Sequence, residues 1–222
     1  KYVEIDYPNI EKNGEFTYNV SMILKEDTLW AEKGYEVAFG QAIYNKLEDL
    51  DSENIEDKLE VVHGDVNVGI KGKGFNMMFS IQEGGLISLR YDDKEYITRA
   101  PKTSFFRATT DNDRGNGHNF RCSQWQIAGQ HQKLVDFKLK EEENKVILEY
   151  KFIMPTSVET TNTVIYTVTA DGAINVNLKY KGVEGMAEIP LYGMDFKLKK
   201  ELGNFKYYGL GPDENYIDRN EG

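Results

Sequence analysis

The sequence predicts an all-β fold built from antiparallel strands. Short runs rich in β-branched and aromatic residues recur after residue 58, at 66–70, 75–81, 86–91, 146–152, 164–168 and 174–180. Several of these runs alternate apolar with polar residues, which is the period-two pattern of a strand with one buried face. The dipeptides Gly84-Gly85 and Asp171-Gly172 separate consecutive runs, and both favour tight hairpin turns. We therefore expect a many-stranded antiparallel assembly in this region.

The first part of the chain predicts a smaller β region. Phe16, Tyr18, Val20, Met22 and Leu24 alternate with more polar positions, so a strand with these side chains on a buried face is expected at 16–24. Another strand is predicted at 35–44. The acidic stretch KLEDLDSENIEDK at 46–58 shows no alternation and is either a linker or a short solvated helix. The domain boundary is placed there, which gives domains 1–57 and 58–222.

One helix is predicted at about 119–128, lying as a cover on the sheets. Cys122, Trp125 and Ala128 recur every three residues, and Gly129 follows as a candidate left-handed C-cap. Trp125 is assigned to the core because of this spacing, and Trp30 is interpreted as a loop anchor.

Composition limits the classes of function. Apolar residues make up 40% of the 222 residues, enough for a core, and the formal net charge is −10. That charge argues against binding to nucleic acid or to anionic membranes. Neither a membrane span nor a secretory signal is visible in the sequence. The single cysteine, Cys122, excludes an internal disulfide and, on sequence grounds, a Cys-based zinc site. It is compatible with the predicted cytoplasmic location.

Two segments combine charged, amide and aromatic residues with turn-forming ones. They are FFRATTDNDRGNG at 105–117 and YYGLGPDENYIDR at 207–219. Carboxylates and amides bind sugar hydroxyls directionally, and tyrosine stacks on sugar C–H faces. The candidate site residues are Arg107, Asp111, Asn112, Asp113, Glu214, Tyr216, Asp218 and Arg219. The alternative is a structural network that fixes the two loops, with Arg107 or Arg114 paired to Asp111, Asp113 or Asp218.

Other chemistry-bearing residues predict no metal or phosphate site. His63, His118 and His131 lie far apart without metal-ligand spacing, so surface or loop positions are expected for them. Asp111 and Asp113 lack the later bidentate glutamate of a calcium loop. The stretch Gly72-Lys73-Gly74 precedes a strand-like run and is interpreted as a turn or bulge rather than a phosphate loop.

Four motifs give the chain a family resemblance. RATTDND at 107–113 and GLGPDENYIDR at 209–219 resemble two motifs in the C-terminal region of glycoside hydrolase family 2 β-galactosidases. Between them, SQWQIAGQHQ at 123–132 is similar to the family's W-x-x-A-G segment, and 27–45 resembles the end of its immunoglobulin-like domain. Phe106 stands where the lactic-acid-bacterial type has tryptophan. The resemblance implies a partial immunoglobulin-like sandwich followed by a galactose-mutarotase-like supersandwich truncated at its C-terminus.

The resemblance also implies a function without catalysis in this chain. Retaining glycoside hydrolysis needs two carboxyls about 5 Å apart, and the family carries both glutamates in a TIM-barrel domain before Lys1. The Asn220-Glu221 dipeptide, although similar to one at the family's acid/base, lacks the surrounding motif. The expected partners are that barrel, a β-galactoside such as lactose, and further copies of the enzyme. No cofactor is expected here, and any Mg²⁺ or Na⁺ is assigned to the complete enzyme.

Two other functions stay open at this point. A stand-alone carbohydrate-binding module would use the mutarotase-like region by itself. An active mutarotase would need a positioned acid and base, for which Glu214 is a candidate base but neither motif contains a histidine. Because about seven strands complete an immunoglobulin-like sandwich, both domains are expected to be cut, and self-association through their unpaired surfaces is expected. The sequence favours the single-chain form of the family.

Overall fold

The chain forms two compact units with mostly β structure. The computed structural model describes residues 13–46, 58–207 and 209–210, and the chain divides into units 1–54 and 55–222. The strands pair antiparallel in every sheet of these residues, so the all-β prediction is confirmed. None of the helices within the described ranges is both long and apolar enough to cross a bilayer. Most of the acidic stretch at 46–58 lies outside the described residues.

The first unit contains a two-stranded hairpin of β1 (Gly14–Ile23) and β2 (Glu36–Lys46). Its two strands match the predicted ones closely. The predicted buried face is wrong for the outer part of β1, because Val20 and Met22 are 45% and 67% exposed. Alternation indicates which side chains share a face, but burial requires a second layer on that face. Among the described residues of this unit, the hairpin supplies only one layer.

The second unit holds the remaining strands. They are β3 (Glu60–His63), β4 (Asn67–Gly72), β5 (Phe75–Ser80), β6 (Gly85–Tyr91), β7 (Lys94–Glu95), β8 (Ile97–Ser104), β9 (Lys133–Glu141), β10 (Lys145–Ile153), β11 (Thr161–Thr169), β12 (Ile174–Tyr180) and β13 (Gly193–Leu198). The sheet orders are β3-β4-β5-β6-β7, β12-β11-β10-β9 and β13-β8. A short 3-10 helix follows at Lys200–Leu202. All six runs predicted after residue 58 are strands.

The main core lies between the five-stranded and four-stranded sheets. On β10 and β11 buried residues alternate with partly buried ones, as the period-two pattern requires. The ring of Tyr166 meets Phe79 of the opposite sheet edge to face, with centroids 5.3 Å apart. The fully buried members of this core include Val68, Ile70, Met77, Phe79, Leu86, Val146, Leu148, Tyr150, Tyr166 and Val168. Two sheet faces that bury one shared apolar layer form a sandwich.

The Asp171-Gly172 hairpin forms as predicted. It joins β11 to β12, and Asp171 Oδ1 accepts the Ala173 N–H at 3.0 Å. Gly172 has φ +85°, and a Cβ at this position would lie 2.8 Å from Phe75 Cδ1. Glycine is therefore required by both the backbone conformation and the space. The predicted turns at Lys73-Gly74 and Gly84-Gly85 likewise connect antiparallel neighbours.

The predicted single helix at 119–128 is wrong in its continuity. Two short helices occur there instead, α2 (His118–Arg121) and α3 (Trp125–Ala128), and a third, α1 (Asp111–Gly115), precedes them. Gly129 is not a left-handed cap, since its φ and ψ are −70° and −24°. A Cβ there would lie 1.7 Å from the Thr103 carbonyl oxygen. The glycine therefore permits α3 to approach β8 closely.

Strands β8 and β9 were missed by the sequence patterns for identifiable reasons. Pro101 interrupts the run that forms β8, and proline within a run argues against a strand. Its partner β13 has register shifts at this point, so the pairing skips the proline. In β9 the pairing shifts between Lys151 and Phe152 of β10. This irregularity changes the spacing of the inward side chains from two to three residues, which hides the alternation.

Candidate functional site

A second apolar cluster anchors the segment that follows β8. Phe105 is 1% exposed and stacks on Trp125, with ring centroids 5.6 Å apart. The indole Nε1 of Trp125 donates to the Ala187 carbonyl at 3.2 Å. The buried members of this cluster are Phe105, Cys122, Trp125, Ala128 and Met154. Trp125 is thus a core residue, as predicted, whereas Trp30 is a 65% exposed loop residue in edge contact with Tyr35.

The conformation of the 105–117 loop is fixed by Arg107 and Asp113. Arg107 donates from Nη1 to Asp113 Oδ2 at 2.6 Å and from Nη2 to Oδ1 at 3.3 Å. Asp113 Oδ2 also accepts the Thr110 N–H at 2.9 Å, and Thr110 Oγ1 accepts the Asp113 N–H at 3.2 Å. These two hydrogen bonds between Thr110 and Asp113 form a capping box at the start of α1. These contacts close the loop on itself.

The charge pairing changes the titration of Asp113. The pKa of its carboxyl is held well below the usual range, first by the Arg107 guanidinium and then by the Thr110 backbone N–H. The side chain of Asp113 is 12% exposed, whereas that of Arg107 is 32% exposed. A two-point guanidinium–carboxylate contact fixes geometry as well as charge. For this pair, the structural-network interpretation describes the observed contacts.

Asp111 and Asn112 differ from Asp113 in their exposure to solvent. Both lie exposed at the start of α1, and the backbone carbonyl of Asn112 accepts the Asn116 N–H at 3.1 Å. Asp111 forms an ion pair with Arg114, in which the two side chains are 90% and 62% exposed. Exposed pairs of this kind contribute little to stability. The loop therefore contains a structural pair, Arg107 and Asp113, and two exposed polar residues, Asp111 and Asn112.

Comparison with known proteins identifies the family. A family model described as the β-galactosidase small chain matches residues 71–222, which is more than half of the chain, and one described as β-galactosidase domain 4 matches 1–45. The chain belongs to the β-galactosidase small chain family. This agrees with the resemblance seen in the two loop motifs.

Three similar proteins are named as a β-galactosidase or as the small subunit of one. A β-galactosidase of Clostridium acetobutylicum is 52% identical over all of this chain and 25% of its own length. One of Lactobacillus delbrueckii subsp. bulgaricus is 37% identical over 98% of this chain and 21% of its own. A β-galactosidase small subunit of Latilactobacillus sakei is 35% identical over 76% of this chain and 59% of its own. The chain thus spans about a quarter or less of the long relatives.

Of the second predicted segment, 207–219, the structure describes residues 207, 209 and 210. Glu214, Tyr216, Asp218 and Arg219 all lie outside the described residues. Their role, as carbohydrate-facing residues or as members of a loop network, stays a prediction.

A polar cavity next to the loop was not predicted. It measures about 400 Å³ and lies against β8, α3 and β13. Aromatic and charged groups share its wall, among them Arg99, Lys102, Phe106, Trp125, His131 and Asp195. Aromatic rings beside directional polar groups can bind a small polar ligand. Arg99 and Lys102 were missed because they belong to β8, the strand that Pro101 conceals.

One cavity wall is fixed by a buried hydrogen-bond network. Asn162, which is fully buried, donates from Nδ2 to Thr103 Oγ1 at 3.2 Å and to Gln132 Oε1 at 3.0 Å. Its Oδ1 accepts the Tyr192 hydroxyl at 2.8 Å. Satisfied buried networks are rigid because each broken bond leaves an unpaired polar group. The network therefore holds β8 and β11 in fixed positions beside the cavity.

The structure corrects the expected placement of one histidine. His63 and His131 are exposed, but His118 is only 6% exposed, so a surface position is wrong for it. Helix α2 turns this ring under Phe106, with centroids 6.1 Å apart. His118 also lies with Cys122 and Glu188 in a group whose ligand atoms are within 4.8 Å of one another.

Cys122 is held as a thiol in this group. Burial raises the pKa of its thiol, and the Glu188 carboxylate raises it further. The Glu188 carboxyl itself has a pKa lowered to about 2, mainly by hydrogen bonds from Arg121. A buried thiol with a raised pKa is a poor nucleophile. The arrangement therefore does not support cysteine-based catalysis.

Proposed function

We propose that the chain is the non-catalytic C-terminal part of a β-galactosidase that hydrolyses terminal β-galactosides such as lactose. The proposal is supported by the family, by the names of the relatives and by the fraction of their length that this chain spans. In this role the chain supports a catalytic TIM-barrel domain and contributes part of the sugar pocket and oligomer contacts. The reacting carboxyls belong to the barrel.

The observation that carries this proposal is the geometry of the 105–117 loop. The pair of Arg107 and Asp113 fixes the loop, and the exposed Asp111 and Asn112 project from its first helical turn. Directional acceptors held on a rigid loop suit the positioning of sugar hydroxyls. Rigidity matters because a group that must be ordered on binding lowers the affinity.

A chimera tests the proposal directly. The segment of the Clostridium acetobutylicum β-galactosidase that aligns with this chain, 25% of that enzyme's length, is replaced by these 222 residues. We expect the chimera to hydrolyse a chromogenic β-galactoside, and we expect the same enzyme without the segment to be inactive. A chimera that folds and assembles but stays inactive at saturating substrate would refute the proposal.

Two substitutions in the chimera separate the structural pair from the outward groups. Asp113→Ala leaves Arg107 without its carboxylate, so the loop and the folding of the chimera should be impaired. Asn112→Ala removes an exposed side chain without a described structural role, so the fold should be retained. If Asn112 contacts sugar, this variant raises KM at unchanged thermal stability, and an unchanged KM rejects that contact.

The isolated chain provides the test against a stand-alone binding module. Isothermal titration with galactose and with lactose should give no saturable binding if the pocket is completed only with the barrel. Saturable binding by the chain alone would favour the carbohydrate-binding module. Turnover of the chromogenic β-galactoside by the chain alone would contradict its non-catalytic role.

A further inference from the structure

Two metal-ligand side chains lie at the two ends of helix α2, because His118 is its first residue and Cys122 is its C-cap. His118 and Cys122 are four residues apart, and this spacing places their side chains one above the other. Glu188 reaches the same place from the segment that precedes β13. Ligand atoms of the three residues lie within 4.8 Å of one another. Imidazole, thiolate and carboxylate are the groups that bind Zn²⁺ in proteins.

A second observation points to a missing partner at this place. His118 is 6% exposed, and its Nδ1 is buried with no hydrogen-bond partner among the described residues. A buried polar atom without a partner is energetically unfavourable, because it has lost its hydrogen bonds to water. Such an atom in a protein interior calls for an explanation, of which a bound ion is one. The orphaned nitrogen belongs to a residue of the three-ligand group.

We propose that His118, Cys122 and Glu188 bind a Zn²⁺ ion. The three side chains supply one nitrogen, one sulfur and one oxygen ligand, and water completes the tetrahedron. On binding, the S–H bond of Cys122 breaks, its proton passes to solvent, and the sulfur lone pair forms the bond to zinc. No oxidation or reduction takes place. The ion ties α2 to the segment before β13 and has a structural role.

Arg121 orients the carboxylate ligand. It donates from Nε to Glu188 Oε1 at 3.1 Å and to Oε2 at 3.4 Å, and an additional contact joins Nη2 to Oε1. Metal-binding carboxylates usually accept such outer hydrogen bonds. Zinc–ligand distances of about 2.0–2.3 Å require the three ligand atoms to move closer together. The side chain of Glu188 is 56% exposed and can make this movement.

Cobalt binding to the reduced, metal-free 222-residue chain tests the site. Because Cys122 is the only cysteine, a thiolate-to-Co²⁺ charge-transfer band in the near ultraviolet reports on this residue alone. We expect one Co²⁺ per chain, with visible bands of tetrahedral coordination, and displacement by Zn²⁺. The band should be lost in Cys122→Ala.

Two glutamate variants provide a matched comparison. Glu188→Gln removes a ligand at an exposed position, so the fold should be retained, as circular dichroism can verify. Zn²⁺ binding should weaken by more than the roughly 10–100-fold that loss of an outer partner costs. Glu184→Gln, at a nearby exposed position, should leave the affinity unchanged. Absence of the band in the wild-type chain, its persistence in Cys122→Ala, or equal affinities of the two glutamate variants would each overturn the proposal.

Discussion

Replacement of Tyr150 by phenylalanine should stabilise the second unit. Tyr150 is 0% exposed in the centre of β10, and its hydroxyl has no hydrogen-bond partner among the described residues. Burial accordingly raises the pKa of this phenol well above its usual value. The ring itself is well packed, with its centroid 4.9 Å from that of Phe137. The substitution removes the unpaired oxygen and keeps the packed ring.

The size of the effect follows from the burial. An unpaired buried polar group costs about 1–3 kcal/mol. We expect a gain of about 1–2 kcal/mol in the free energy of unfolding, because the new phenylalanine leaves a small gap where the oxygen was. At roughly 2–4 °C per kcal/mol for a domain of this size, Tm should rise by roughly 2–8 °C.

Tyr166 provides the matched control. It is 1% exposed on the neighbouring strand, and its ring centroid lies 6.0 Å from that of Tyr150. Its hydroxyl accepts the Leu86 N–H, and burial raises the pKa of the phenol to about 12. Tyr166→Phe should therefore destabilise the unit by about 1–3 kcal/mol. Urea unfolding and calorimetry measure both variants. A destabilised Tyr150→Phe would refute the reasoning and indicate an ordered partner for this hydroxyl.

Two further outcomes are expected. Gly129→Ala should lower the free energy of unfolding by about 3 kcal/mol or more, because the new Cβ would lie 1.7 Å from the Thr103 carbonyl oxygen. Gly115→Ala, with open space around it, should be neutral or stabilise by less than about 1 kcal/mol. Urea unfolding measures both variants, and equal losses in their free energy of unfolding would contradict the close approach of Gly129 to Thr103. The Glu188 carboxyl, with its pKa lowered from 4.5 to about 2, should stabilise the fold above pH 4.5 and lose this contribution as the pH falls toward 2. A carboxyl resonance that titrates near pH 4.5 by NMR would show that the Arg121 pair is not formed.

Local sequence patterns were sufficient to predict those elements whose structure depends on neighbouring residues. The hairpin at Asp171-Gly172 forms because the turn conformation is a property of these two residues. The strands with regular alternation were found for the same reason. Thr110 and Asp113, three residues apart, form a capping box from their own backbone and side chains. The order of the 105–117 loop was thus predictable, although its short helix was not.

Features that depend on a distant partner required the structure. The burial of the β1 face could not be read from alternation, since a pattern does not say whether a second layer covers it. Strand β8 was hidden by Pro101, and β9 was hidden by a register shift. Both irregularities are accommodated in the pairing with a partner strand, which a local pattern does not contain. The local pattern predicts a helix cap at Gly129, because it does not contain the contact with Thr103, which joins separate elements.

The sequence by itself determined the fold class and the family, because strand period, turn residues and motif content are local properties of the chain. Only the tertiary structure decided that Asp113, rather than Asp111, pairs with Arg107, and that His118 and Cys122 meet Glu188 in the interior. Glu188 lies 66 positions after Cys122 in the sequence. Contacts over such distances depend on how sheets and short helices pack, which no local pattern specifies.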